Sequence, residues 1–425
     1  MSKTQMQDNV WKVKAKALDR YRWLLLRERY SWIGSFLRFV RDALRDWSFG
    51  VCARCRVSKS LSPLPCDILL LQSAPKVIAL RRKKLLIEAL LGRGHVLIES
   101  ALQSASVFLR QRQLKAPPFP VPTRYFGFAA HAEWLVCRYT PKLLLNDRNG
   151  SLYAPFLRLA LNMRKSLLVQ LAHATTLEKS QRLGMNDYDY YLLFGASSEA
   201  ALRNRLLRFG ESTAVLTGSH MIDKTFDMPM ARPSTRTILV LGVGPDKEKE
   251  ENYQKSYRVV SEWASQHPEI LALVKRHPRS KAILWQEMAK NHENMEILPA
   301  ETSLADALAR ASIVINFMSN AIVEASLAKR PIVYVNAGEE TDIFDQEYAF
   351  GSAIKTPEAL AVRIQKIEQE YAAYVTVTEK FSHFHLAGGF QGLERTVATL
   401  ESLMNGTGFP RDVESMTLPE SLPGK

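Results

Sequence analysis

The chain has 425 residues, 46% hydrophobic and 24% charged, with a formal net charge of +14. That length allows two domains with a core each. The composition excludes a disordered or collagen-like chain, and no apolar run approaches the roughly 20 residues of a membrane span. Charge is unevenly placed. Residues 1–100 hold 20 Lys and Arg against 8 Asp and Glu, so they carry +12 of the +14 and the rest is nearly neutral. Four cysteines in so long a chain suit a reducing compartment. Cys52-x-x-Cys55 has the spacing of half a zinc site, but no second pair matches it, so no metal is expected. Lys and Arg interrupt every apolar segment near the amino terminus, which argues against a secretory signal and for a cytoplasmic protein.

The segment RYRWLLLRERYSWIGSFLRFVRDALRDW, residues 20–47, reads as amphipathic helix with a break at Gly34. Leu24, Leu25, Trp32, Phe36, Phe39, Val40 and Trp47 share a broad face, with arginines on its flanks. Trp, Phe and Leu beside Arg suit a helix docked on its own domain or on a partner, and also one in an anionic lipid headgroup layer, with residues 10–47 on the inner face of the cytoplasmic membrane. Residues 1–65 are therefore read as a basic helical extension.

From Cys66 strands and helices alternate. DILLLQ, HVLIES, KLLLND, SLLVQLAH, YDYYLLFG and TAVLTGS are strand candidates with helical segments among them. The pattern predicts βαβ units and a parallel sheet over 66–222. DKTFDMPMARPSTR, residues 223–236, lacks periodicity and reads as a linker. A second α/β series follows over 237–404, and the Pro- and Gly-rich tail 405–425 is expected to be flexible. The expected fold class is α/β, with two Rossmann-like domains facing a cleft, and open α/β sheets bind ligands at the carboxyl ends of their strands.

Three strand ends of the second series carry the chemistry. TILVLGVGP ends in Gly242 and Gly244, which permit close approach of a ligand to the backbone. LALVKRHPRS ends in His277-Pro278, with Lys275, Arg276 and Arg279 beside the imidazole. A cationic cluster of this kind suits a phosphate or diphosphate. SIVINFMSNAIVEASL leads from strand to helix. Ser319 and Asn320 are expected to cap that helix, whose N-terminus would bind phosphate. Glu324 lies a little over a turn further on, where a carboxylate can accept hydrogen bonds from a ribose diol.

The stretches KRHPRS and ASIVINFMSNAIVEASLAKRPIVYVN together resemble the carboxyl-terminal half of GT-B glycosyltransferases. The likeness is to bacterial capsule and surface-polysaccharide enzymes: polysialyltransferase-like, Kdo-transferase-like and CDP-glycerol glycerophosphotransferase-like. It covers residues 237–336, extends more weakly over 140–220 through DYYLLFGASSEAAL, and is absent from the first 65. Asn320 stands where a second Ser often does. The resemblance implies His277 and Ser319 on donor phosphates, Glu324 near the ribose, and no metal or other cofactor. An inverting transfer also needs a base from the first domain. Asp147 and His173, both at predicted strand ends, are the candidates. The expected partners are a nucleotide-activated sugar donor, CMP-linked among the options, and a glycan or lipid-linked acceptor. The other readings are transfer of glycerol phosphate, nonhydrolysing epimerisation of a nucleotide sugar and, from another class, nucleic-acid binding by the basic end. No nucleic-acid-binding motif accompanies that charge, so no nucleic-acid partner is expected.

Overall fold

The apolar runs read as strands in the sequence become parallel strands. The computed structural model describes residues 3–172, 174–175, 184–290 and 292–422. Twelve strands occur among them: β1 (Ile68–Gln72), β2 (Leu97–Ala101), β3 (Leu143–Asn146), β4 (Leu167–Leu171), β5 (Tyr190–Leu193), β6 (Ser212–Leu216), β7 (Thr237–Leu241), β8 (Leu271–Lys275), β9 (Met295–Ile297), β10 (Ile313–Asn316), β11 (Ile332–Tyr334) and β12 (Ser415–Leu418). They form a seven-stranded sheet, ordered β12-β6-β5-β4-β3-β1-β2, and a five-stranded sheet, ordered β11-β10-β7-β8-β9. Every pairing is parallel except that of β12 with β6. The chain divides into two compact units, Met1–Met221 with Leu393–Lys425, and Ile222–Gly392.

The first unit covers one face of its sheet late in the sequence. Leu70, Leu145, Val169 and Leu192 pack with Val397, Leu400 and Leu403 of the helix Gly392–Asn405. The expected second-domain boundary at 404 therefore falls too late, because this apolar helix face completes the first core. The expected flexible tail from 405 is also corrected. Ser415–Leu418 pairs antiparallel with Ser212–Val215, and Asn186 Nδ2 donates to the Leu418 carbonyl at 3.0 Å. The open edge of β6 supplies the unpaired backbone groups that order this segment. The expected linker 223–236 folds with the second unit. Met228 is buried there, and Arg330 Nη1 donates to the Pro229 carbonyl at 3.0 Å.

The basic amino-terminal segment is two helices of the first unit, Lys3–Arg27 and Trp32–Cys55. The break precedes Gly34. Ser31 caps the second helix, its side chain accepting from the Gly34 N–H. Trp11, Ala15, Leu18 and Tyr21, at helical spacing, bury one stripe of the first helix. Charge pins both helices to the helix Thr123–Tyr139. Arg124 pairs with Asp19 of the first helix and, through Nε at 3.7 Å, with Asp46 Oδ2 of the second; Tyr125 Oη donates to Asp19 Oδ1 at 2.6 Å, and Arg22 Nη1 meets Asp46 Oδ2 at 2.6 Å between the two helices. Burial pushes the Asp46 carboxyl up despite its pairing with Arg22 and Arg124.

Gly50 sets the approach of the second helix. A Cβ there would lie 1.7 Å from the Thr123 carbonyl oxygen, a backbone atom. Alanine is the better helix former by about 1 kcal/mol, yet Gly50→Ala is expected to lose roughly 2–3 kcal/mol through overpacking. Chemical denaturation reads the sign directly.

Candidate functional site

The second unit's sheet has the strand order of a doubly wound nucleotide-binding fold. β7 is central, β8 and β9 lie to one side, and β10 and β11 to the other. Such sheets bind ligands outside the carboxyl ends of the strands, where the order reverses, here between β7 and β10. The register brings the ends level. Asn316 pairs with Leu241, and Leu241 with Lys275. The three loops singled out in the sequence therefore leave one edge of the sheet side by side.

The β7 loop is built by tight packing. Gly242 donates to the Lys275 carbonyl at 3.0 Å, and a Cβ there would sit 3.3 Å from Arg276 Cα and the Lys275 oxygen. The close approach that Gly242 permits is thus to the neighbouring strand's backbone. Gly244 is the more open of the two, since its added Cβ would meet only Arg279 Nη2, at 3.8 Å. Val243 N–H donates to Tyr257 Oη at 3.1 Å, tying the loop to the core beneath.

The β8 loop holds the cations. Half-buried His277 accepts the Arg279 N–H on Nδ1 at 3.1 Å, which directs Nε2 away from the turn. Its carbonyl accepts the Ser280 N–H at 2.8 Å, and Arg276 Nη1 donates to the Ser280 carbonyl at 3.3 Å. Burial, and then Arg276, pulls the Lys275 ammonium below its usual range. An anion bound here would relieve that repulsion.

The β10 loop is organised by a residue to which the sequence reading gave no role. Asn316, fully buried at the strand end, accepts the Ser319 N–H on Oδ1 at 3.1 Å and donates to Gln346 Oε1 at 2.7 Å. Gln346 Nε2 in turn donates to the Phe317 carbonyl at 3.1 Å. The polar residue closing the apolar run IVIN was the available signal. Ser319 and Asn320 are not the caps expected of them. The helix Ile322–Leu327 starts after Ala321, which occupies the cap position without a side-chain bond. Ser319 Oγ instead accepts the Ala321 N–H at 3.3 Å within the turn, and Asn320 is exposed. Six helical residues offer little macrodipole.

Glu324 lies in that short helix. Its Oε2 is buried without a hydrogen-bond partner among the described residues, and burial pushes the carboxyl up to about 7. A shielded carboxyl with a free oxygen is suited to receive ligand hydroxyls.

In the first unit Asp147 follows β3, at the reversal between β1 and β3. Lys83 Nζ meets its Oδ2 at 2.6 Å, and both side chains are buried. Oδ1 is buried with no hydrogen-bond partner among the described residues. The sequence reading missed Lys83, which sits in the charged run RRKK. His173 lies outside the described residues.

No family model and no curated protein matches the chain. Solved structures do. A Listeria monocytogenes protein assigned as a UDP-N-acetylglucosamine 2-epimerase aligns with a TM-score of 0.53 at 12% identity, over 81% of this chain and 98% of its own. S. aureus MnaA, solved with UDP, gives 0.52 at 10% identity, over 81% and 99%. The glycotransferase of kitacinnamycin gives 0.50 at 12% identity, over 80% and 100%. At such identities the likeness is one of fold. The chain has a GT-B-like fold, shared by nucleotide-sugar epimerases and glycosyltransferases.

Glu324 yields a pH prediction. Its folded pKa is raised above the usual 4.5 to about 7. The protonated carboxyl is therefore the form the fold accommodates. Its stabilising effect is complete below about pH 4.5 and is lost as pH rises through about 7, up to roughly 3 kcal/mol at 1.36 kcal/mol per unit. Glu324→Gln removes that titration. The variant's unfolding midpoint relative to wild type should rise across the window and be flat below it.

Proposed function

We propose that the second unit binds a nucleotide-activated sugar and that the protein is a glycosyltransferase of surface-polysaccharide synthesis. The observation that carries the reading is the level ending of β7, β8 and β10 at the sheet's switch point, with cations on one loop and a shielded carboxyl beyond another. In this reading His277 and Arg279 hold donor phosphate oxygens. Ser319 adds its hydroxyl, Gly244 leaves room beside them, and Glu324 takes the ribose diol. Charge develops on the departing phosphate as the sugar–oxygen bond breaks, and the β8 cations stabilise it. Asp147 or His173 takes the proton of the acceptor hydroxyl. For Asp147 the available oxygen is Oδ1, because Lys83 occupies the other. The acceptor is a glycan or a lipid-linked glycan.

A second reading, nonhydrolysing epimerisation of a nucleotide sugar, is favoured by the fold likeness to the Listeria protein. An epimerase needs no acceptor. Incubation with the donor alone, followed by NMR of the sugar, separates it from a transferase, which would release free nucleotide only when acceptor is added.

The base is identified by thermal unfolding with CMP, CDP, UDP and GDP. A nucleotide at a hundred times its dissociation constant should stabilise the protein by about 2.7 kcal/mol. If none of the four raises the midpoint, the nucleotide reading fails. His277→Ala should weaken the responding nucleotide by roughly 10- to 100-fold, the loss of a charge-assisted contact, with the unliganded protein still folded. Unaltered affinity would remove His277 from the site.

A further inference from the structure

The helix Trp32–Cys55 buries one face and leaves a continuous apolar stripe uncovered on another. Ser35, Asp46, Phe49, Gly50 and Ala53 face inward. Ile33, Leu37, Val40, Leu44, Trp47 and Val51, spaced alternately by four and three residues, lie on one line of the helix surface and are all exposed. Ile33, Leu37 and Leu44 are 67%, 62% and 63% exposed. Phe36 and Trp32 widen the stripe at its start, their rings stacked with centroids 5.7 Å apart. The stripe runs about 27 Å at about 1.5 Å per residue. Single exposed hydrophobics are ordinary, but a contiguous line of them marks a surface that meets something.

Charge selects the occupant. Arg41 and Arg45 are exposed along one flank of the stripe, and residues 1–100, which include this helix, carry +12 of the chain's +14. Of the acids of this helix, Asp42 pairs with Arg41 and offsets it, while Asp46 is buried against Arg22 and Arg124, so Arg45 is the flanking cation that this helix leaves uncompensated. A second copy seated on the stripe would bring two cationic flanks together with no exposed, unpaired acid from this helix between them. An anionic surface with an apolar interior meets both features at once. Aromatic rings of Trp32, Phe36 and Trp47 suit the boundary between headgroups and acyl chains. We infer that the Ile33–Val51 stripe seats the protein on an anionic phospholipid surface, the helix lying in its plane. The first helix contributes charge rather than insertion, since Trp11, Ala15, Leu18 and Tyr21 are buried in the protein. This inference is independent of the nucleotide reading.

Flotation of the full-length protein with vesicles tests it. Vesicles of phosphatidylcholine with phosphatidylglycerol should carry the protein up the gradient, and phosphatidylcholine alone should carry far less. Leu37→Ser combined with Leu44→Ser should lower partitioning at least roughly tenfold. Arg45→Gln should lower it about fivefold, and added salt should do the same. All three positions are exposed, so an unchanged unfolding midpoint accompanies the loss. Protein that stays at the bottom with anionic vesicles at low salt overturns the inference. So does a concentration-dependent dimer in sedimentation velocity that the Leu37→Ser, Leu44→Ser pair abolishes, which would make the stripe a protein interface.

Discussion

Parallel strands that end level with one another oblige the loops beyond them to start at a common edge. In the second unit this constraint joins residues far apart in sequence. Leu241, Lys275 and Asn316 are one row of the sheet, so Gly242, Arg276 and Phe317 open three adjacent loops. The Asn316 amide then spends both its polar ends on the last loop and its support, fixing Ser319 through the backbone and Gln346 through the side chain. The rigidity of the edge therefore comes from a buried amide and close backbone packing at Gly242, while the groups with chemistry to offer remain half-buried or exposed above it. This division lets one scaffold hold different ligands by changing loop residues alone.

The first unit obeys the same rule with a different strand order. Its reversal lies between β1 and β3, and Asp147 stands there against Lys83. A buried ion pair of this kind is costly to desolvate, and removing either partner would leave the other charge buried and uncompensated. The polar atom left over, Oδ1, lies where open α/β sheets present ligands. The two units thus converge on one arrangement by separate topologies.

Much of this was legible because buried parallel strands are continuous apolar runs, and LLLN, TILVL, LALVK and IVIN need no alternation to be recognised. Glycine, His-Pro and Ser-Asn at their ends located the loops. Residues whose importance arises from distant partners were not legible. Lys83 is one cation in RRKK until Asp147, 64 residues later, buries it. Asn316 looks like a turn residue until Gln346 arrives from beyond the next strand. The helix Thr123–Tyr139 is buried around much of its circumference, from Tyr125 to Glu133, so it shows no clean amphipathic stripe. Ser415–Leu418, largely polar or exposed, becomes a strand only because β6 has an edge to give it.

The order of the chain has a consequence for synthesis. The first unit is interrupted by the whole of residues 222–392, and its core lacks Val397, Leu400 and Leu403 until the end is made. The second unit has all its own strands in one contiguous segment and can close first. Until residues 393–418 emerge from the ribosome, the nascent amino-terminal half presents a sheet face covered only in part, by Leu86 and Leu90, and the bare edge of β6. Both are surfaces on which unfinished chains aggregate.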